Sequence, residues 1–417
     1  MKKVSEGDPR FDMNRPPLPI TAAGSLRQKL AGLGFRLDRV RWSGMAELRE
    51  PCLVLVNSPS PLVFRAMAAL IFPHPLYFAA PLEFFIGREE MLRETGAIGV
   101  RRYTQDIRLI RHLSRAVGEF CRPVAVSPDS GCSLYGREET VSSSWGRVAR
   151  MLGVPVVAVC FDGLYLRRPI WRERSVSCPV FARATEIITR EEVARLSPDE
   201  MTRRIRLALR YDDFAWQEEN HIQLRSPRRA EGLHRVLYKC PVCGEERMNS
   251  RGDTLRCIAC GKRWELTPSG RLEAETGETM FSRVTDWGDW QAAMLRQAPD
   301  SLSLEVPVRV AGMTGSAGFG PEVPAQFVLG TEGLMIEGEL GEEQTVLYWE
   351  AASLRGVYVS YAGERQQIQI STLTDTYRVT LPASLPAAKV SQAVNVLYRM
   401  RKEKNREAAA LFESPQI

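Results

Sequence analysis

Over the first 190 residues, short continuous apolar runs alternate with stretches in which apolar residues recur every three to four positions. Runs at 52–56, 76–79, 98–100, 124–126 and 154–161 carry no charged position. That is the pattern of strands buried on both faces. The periodic stretches between them predict helices. One spans 61–72, with Pro61 in its first turn and Pro73 as its stop. One spans 106–119, with Ile107, Ile110, Leu113 and Val117 about one turn apart. A third spans 141–152, and a short earlier helix carries Leu26, Leu30 and Leu33 on one side. Alternation of this kind predicts an α/β fold, with crossover helices packed on a largely parallel sheet.

Beyond residue 190 the pattern becomes helical. Ser197-Pro198-Asp199-Glu200 reads as a capping box with Pro at the first helical position, opening a helix that carries Arg203, Arg204, Arg206 and Arg210. Further helices are expected at 213–217, 230–237 and 286–297. Short alternating strands follow at 304–310, 327–329, 334–337, 346–349, 356–359, 367–371 and 377–381, separated by turn signals such as Thr331-Glu332-Gly333. A last helix places Val390, Ala393, Val394, Leu397 and Tyr398 on one face. The expected organisation is a flexible arm at 1–20, an α/β domain at 21–190, a helical extension at 191–237, a cysteine module at 238–270, a linker helix at 271–300 and a β-rich domain at 301–417. The β-rich domain, closed by one amphipathic helix, resembles a pleckstrin-homology-like barrel in pattern alone.

Composition narrows the functional classes. The 417 residues are 44% hydrophobic and 25% charged, which excludes wholesale disorder. The longest apolar-rich stretch, 61–87, is broken by Arg65, Pro73, His74, Pro75, Pro81 and Glu83. It falls short of the ~18 apolar residues needed to cross a bilayer. A polytopic membrane protein is excluded and a peripheral one is not. Polar residues follow Met1-Lys2-Lys3, so a cytoplasmic location is expected. The net charge of +6 divides into +10 over residues 1–250 and −4 over 251–417. The basic part suits phosphates of lipid, cofactor or nucleic acid, and equally a solvated arginine-rich surface.

Four of the nine cysteines form two pairs, Cys240-Pro-Val-Cys243 and Cys257-Ile-Ala-Cys260, thirteen residues apart. Two knuckles supplying four thiolates suit a closed tetrahedral Zn²⁺ site with a structural role. Gly244 and Gly261 follow the knuckles, where the chain must turn tightly. Arg247, Arg251, Arg256, Lys262 and Arg263 surround the module, which keeps a nucleic-acid-binding zinc ribbon as an alternative. The plainer reading has these charges offset the thiolates, with no nucleic acid bound.

Several segments together resemble the bacterial lysophospholipid (1-acylglycerol-3-phosphate) acyltransferase family, in a subgroup whose acyltransferase domain is followed by a zinc ribbon. Leu55-Val56-Asn57 and Ser58-Pro59-Ser60 stand where the family has a strand and its Asn-His-x-Ser-x-x-Asp motif. Gly96-Ala97-Ile98 with Arg101, Arg102 and Asp106 fits the second motif. The segment Ser127-Pro128-Asp129-Ser130-Gly131-Cys132-Ser133-Leu134-Tyr135-Gly136 stands in place of Phe-Pro-Glu-Gly-Thr-Arg-Ser-x-x-Gly. Val154-Pro155-Val156-Val157 with Gly163, Tyr165, Pro169 and Trp171 fits the fourth. The order is kept over some 250 residues.

The resemblance implies acyl transfer from acyl-CoA or acyl carrier protein to a lysophospholipid hydroxyl, with a His general base held by an Asp. Here those positions are Ser58 and Val63. Serine accepts no proton at neutral pH and valine orients nothing, so a contribution of about 10²–10⁴-fold is absent. Arg101, Arg102, Asp129, Ser130 and Ser133 remain as candidate substrate contacts. The expectation is a peripheral protein on the cytoplasmic face of the membrane. It would be catalytically impaired and bind lysophospholipid, an acyl donor or an anionic membrane surface, with acyl carrier protein and a protein partner of the C-terminal barrel as further candidates. The alternative is an active acyltransferase with a rearranged base, for which His74 and His112 are the candidates.

Overall fold

The computed structural model describes residues 11–44, 48–57, 59–104, 106–128, 131–138, 141–298, 302–339 and 344–413. The chain forms two compact units. One comprises Met1–Leu224 with Met313–Gly318 and Thr372–Asp375, and the other comprises Arg225–Gly312, Phe319–Ser371 and Thr376–Ile417.

The first unit is built on a seven-stranded sheet of β1 (Arg39–Ser43), β2 (Leu53–Val56), β3 (Tyr77–Pro81), β4 (Ala97–Val100), β5 (Val124–Val126), β6 (Val156–Asp162) and β7 (Phe181–Ile188). The strand order is β1-β7-β6-β2-β5-β3-β4. The β6–β7 pair is antiparallel and every other pair is parallel. The five strands read from continuous apolar runs are β2 to β6. The sequence pattern missed β1 and β7. Both carry charged residues, and β1 is an edge strand exposed at Arg39, Val40 and Arg41, so neither shows a continuous apolar run.

The helices are α1 (Ala22–Leu33), α2 (Val63–Leu70), α3 (Glu89–Glu94), α4 (Ile107–Gly118), α5 (Ser144–Leu152), α6 (Leu164–Arg167), α7 (Arg190–Arg195), α8 (Pro198–Ala208) and α9 (Asp213–Glu219). Strand alternation feeds two cores. Leu53 and Leu55 of β2 face a cluster with Leu113, Ala116, Val148, Ala149, Met201 and Ile205 of α4, α5 and α8. Val54 and Val56 face a cluster with Val63, Ala66, Met67 and Leu70 of α2. The sheet is therefore covered on both faces, as parallel strands require.

Three local expectations change. The reciprocal capping box lies at Thr189 and Glu192, opening α7. At α8, Ser197 accepts from the Glu200 N–H, while the Glu200 carboxylate turns to Arg203 and Arg204. Residues 230–237 contain a single 3₁₀ turn, Leu233–Arg235, in place of a helix. Finally, residues 11–20, read as the end of a flexible arm, pack against the unit. Phe11 and Met13 are buried, and Arg93 donates to the Asp12 and Arg15 carbonyls.

The second unit begins with a small antiparallel sheet of β8 (Met248–Arg251), β9 (Thr254–Cys257), β10 (Arg263–Leu266) and β11 (Leu272–Ala274). Helix α10 (Val284–Gln297) follows, then β12 (Leu304–Thr314), β13 (Gly318–Phe319), β14 (Val323–Gly330), β15 (Gly333–Glu339), β16 (Gln344–Glu350), β17 (Tyr358–Ala362), β18 (Arg365–Ser371), β19 (Thr376–Leu381) and α11 (Ala387–Glu413). The ladder runs β16-β15-β14-β12-β19-β18-β17 and is antiparallel throughout. Its ends, β16 and β17, share no ladder among the described residues. The sheet nevertheless curls, since Trp349 of β16 stacks edge-on against Tyr377 of β19. Val390, Ala393, Val394 and Leu397 of α11 are buried in this unit.

Candidate functional sites

Two places among the described residues correspond to the sites read from the sequence. The first is the edge of the large sheet where β2 and β5 end, the usual ligand edge of an open α/β sheet. Beyond β2, Asn57 is buried and ties β2 to β6. Its amide donates to the Phe161 carbonyl and its carbonyl accepts from the Phe161 N–H. Ser60 Oγ donates to the Arg168 carbonyl at 2.7 Å. Ser58, Asp129 and Ser130 lie outside the described residues. Val63 opens α2 and is buried.

From this edge an apolar cavity of about 300 Å³ extends between the sheet, α1 and α2. Its lining includes Val56, Val126 and Ser127 at the strand ends, Val63 and Met67 of α2, and Ala31 of α1. The described lining contains no carboxylate, histidine or cysteine. Gln28 closes one side, where its amide bridges the Leu76 and Thr95 backbones. Sequence reasoning missed this cavity because its roof, α1, is turned opposite to its leucine pattern. The small residues face inward. Gly24 meets the Glu94 carbonyl, and a Cβ at Gly32 would stand 2.5 Å from the Ala68 carbonyl oxygen. Leu26, Leu30 and Leu33 face outward at 56%, 58% and 68% exposure. The signal for this close approach was the glycine pair eight residues apart, which puts both on one helix face.

The expected phosphate contacts are engaged within the protein. Arg101 is buried and donates to the Leu373 and Thr374 carbonyls of the turn Thr372–Asp375, which belongs to this unit. Arg102 is buried and pairs with Glu83 at 2.8 Å. Ser133 folds its own loop. Its hydroxyl accepts from the N–H groups of Tyr135, Gly136 and Arg137 and donates to the Arg137 carbonyl. Gly136, in the left-handed region, lies against the Tyr165 ring. Tyr165 in turn donates to the Leu134 carbonyl and accepts from the Trp171 indole. Asp213, also missed in the sequence, completes this support. It is fully buried, its N–H donates to the Gly136 carbonyl and its carboxyl accepts from the Tyr165 N–H. Burial, with Asp162 nearby, pushes its carboxyl well above the usual range.

The candidate bases stand elsewhere. His74 is exposed between α2 and β3, at the start of β3. In a parallel sheet, the end of a crossover helix lies at the edge opposite to its beginning, so His74 is across the sheet from Asn57. His112 is half-buried in α4, beside Phe11, Met13 and Arg93, and burial lowers its pKa. The Phe84-Phe85-Ile86 segment is core at Phe85, which packs edge-on against Phe11.

The second place is the cysteine module. The Sγ atoms of Cys240, Cys243, Cys257 and Cys260 all lie within 4.8 Å of one another. Cys240 and Cys260 are 3.8 Å apart and Cys243 and Cys257 3.6 Å apart. Zn–S bonds of about 2.3 Å at tetrahedral angles place sulfurs about 3.8 Å apart. The donor set therefore fits Zn²⁺. Backbone N–H groups of Val242 and Cys243 point at the Cys240 sulfur, and those of Ala259 and Cys260 at the Cys257 sulfur. Gly244 and Gly261 make the required left-handed turns at φ +78° and +77°.

The module is bound into its unit. Trp264 of β10 packs edge-on against Trp287 of α10 at 4.9 Å, and Trp287 donates to the Lys239 carbonyl. Tyr238 donates to Gln392 of α11, and Lys389 pairs with Glu246. Trp287 is thus a docking residue.

No family model matches this chain, and no curated protein matches it. Among solved structures it is similar to the crystal structure of the 1-acyl-sn-glycerophosphate (LPA) acyltransferase PlsC from Thermotoga maritima. That likeness has 19% identity and a TM-score of 0.36, and it covers 44% of this chain and 76% of that one. At that TM-score the likeness is too loose to support an argument about activity. Among the described residues, no helix is long and apolar enough to cross a membrane.

Proposed function

We propose that the first unit binds the acyl chain of a lysophospholipid or acyl donor in the cavity roofed by α1, as a peripheral membrane protein with little or no acyltransferase turnover. The carrying observation is the apolar cavity that reaches the C-terminal ends of β2 and β5 with no described carboxylate, histidine or cysteine in its lining. A half-open apolar volume of this size is in the range of small-ligand sites, and a hydrocarbon chain loses nothing by leaving water for it. The exposed leucines on the outer face of α1 form the kind of apolar patch that marks a lipid or protein surface, and the +10 charge of residues 1–250 favours anionic lipid. The Cys₄ module takes a structural zinc, and the curled sheet with α11 is assigned to a protein partner.

The test is extraction of lipid. Native mass spectrometry of the purified chain mixed with lysophosphatidate should show one bound lipid. Ala31→Phe, which fills the cavity, should abolish that species, while Leu26→Ser on the outer face should keep it. In the same buffer, acyl-CoA with lysophosphatidate should give negligible transfer. Turnover at ordinary enzyme rates would return the chain to the active-acyltransferase reading, and binding unaffected by Ala31→Phe would remove the cavity from either reading.

A further inference from the structure

A second, open cleft of about 700 Å³ lies in the first unit, between β1, β7, the end of α8 and α9. Its charges do not cancel locally. Asp162 is held by Arg183 through two hydrogen bonds of 2.8 and 3.0 Å. Asp212 caps α9, accepting from the Phe214 and Ala215 N–H groups. Glu138 accepts from the Tyr211 N–H. Arg41 and Arg210 line the same cleft and are exposed, and among the described residues neither guanidinium has an ion pair or hydrogen bond. Edge strands often carry charges that block pairing with other chains. That accounts for Arg41 on β1 but not for Arg210, which follows α8.

The wall beside them is aromatic. Trp216 of α9 is half-buried and meets Phe181 edge-on at 5.2 Å, and Arg39 lies over the Phe181 ring at 4.6 Å. Guanidinium groups grip phosphate oxygens in a fork, and an aromatic wall takes a planar ring. The volume fits a small ligand. Glu219 and Asp212 within the lining disfavour a long polyanion.

We propose that this cleft binds a small organic phosphate with an aromatic ring, of the nucleotide class, through Arg41 and Arg210 on the phosphate and Trp216 on the ring. The site is independent of the acyl cavity.

Isothermal titration of the full chain at low ionic strength tests it, with ADP as the probe. ADP should bind, and Arg41→Ala/Arg210→Ala should weaken it about tenfold or more, with thermal unfolding unchanged because both residues are exposed. Trp216→Ala should weaken ADP but leave pyrophosphate as it was. Ala31→Phe should leave ADP binding intact. No ADP binding, or equal affinity in the double arginine variant, overturns the proposal. Co-sedimentation with phosphatidylcholine vesicles, with and without phosphatidate, separates the phosphate sources. Phosphatidate-dependent binding lost in the double variant, with none to ADP, overturns the nucleotide reading in favour of a lipid phosphate.

Discussion

The cysteine module and the strand-edge cavity carry their chemistry in opposite ways. In the module every sulfur is supplied by two short segments, which meet with Sγ distances of 3.6 and 3.8 Å between them. At the strand edge the framework is built by remote parts of the chain. Asn57 locks onto Phe161, Asp213 braces Gly136 and α1 roofs the cavity, while the described cavity lining itself holds no carboxylate, histidine or cysteine. A local site is held by its ligand, and a distributed one is held by its scaffold.

The strongest way to break this contrast is to remove the metal. The purified chain should hold one zinc per molecule by plasma mass spectrometry. Chelation, or Cys257→Ser, should unfold the module, because structural zinc contributes about 10–16 kcal/mol in small peptides. Trp264 and Trp287 should lose their contact, seen as a change in near-ultraviolet circular dichroism, and protease cleavage should appear within 240–274. A zinc-free protein with an unchanged spectrum would end the idea that this region depends on its ligand.

The two regions should also answer pH with opposite signs. Burial, with Arg235 nearby, lowers His234 to about 4, and its Nδ1 lies 2.8 Å from Ser250 Oγ. Its folded pKa is below the ordinary value of about 6.5, so its contribution is full above that pH. It should be lost between about 6.5 and 4, by up to about 3 kcal/mol. Asp213 is shifted upward by burial. Its contribution is therefore present below the ordinary carboxylate pKa of about 3.9 and declines as pH rises toward the raised folded value. Denaturant titrations across pH in zinc-saturated buffer check both. His234→Gln should flatten the slope that rises with pH and Asp213→Asn the one that falls. Slopes of the same sign would show that one group has been misassigned.

What could be read from the chain follows the same division. Strands β2 to β6 announced themselves because a strand buried on both faces needs no polar position. The cysteine set was legible because its members are neighbours in sequence. Strands β1 and β7 were not, since Arg39, Arg41 and Arg183 break the apolar pattern while the backbone still pairs. Arg101 and Arg102 matched a motif by position, but that match could not show that Glu83 and the Thr372–Asp375 turn take up their donors. Asp213 was one of two adjacent aspartates, and nothing local shows which of them is the buried brace and which the helix cap.

The smallest expected effect is the sharpest test of the cavity side. A leucine stripe on a helix ordinarily marks the core, and replacing a core leucine by alanine costs about 2–5 kcal/mol. In α1 the order is reversed, with Gly24 and Gly32 against the protein and Leu26, Leu30 and Leu33 in the open. Leu30→Ser should therefore change stability by no more than about 0.5 kcal/mol. Gly32→Val, which drives a side chain into the Ala68 backbone, should cost far more. Thermal unfolding of the two variants decides between the orientations. If Leu30→Ser costs as much as a core truncation, α1 lies the other way round, and the cavity loses its roof. If it costs nothing and weakens co-sedimentation with anionic vesicles, the leucines serve a surface outside the protein. The helix then does two jobs with its two faces, because only residues as small as glycine let it lie close enough to α2 to leave its large side chains outward.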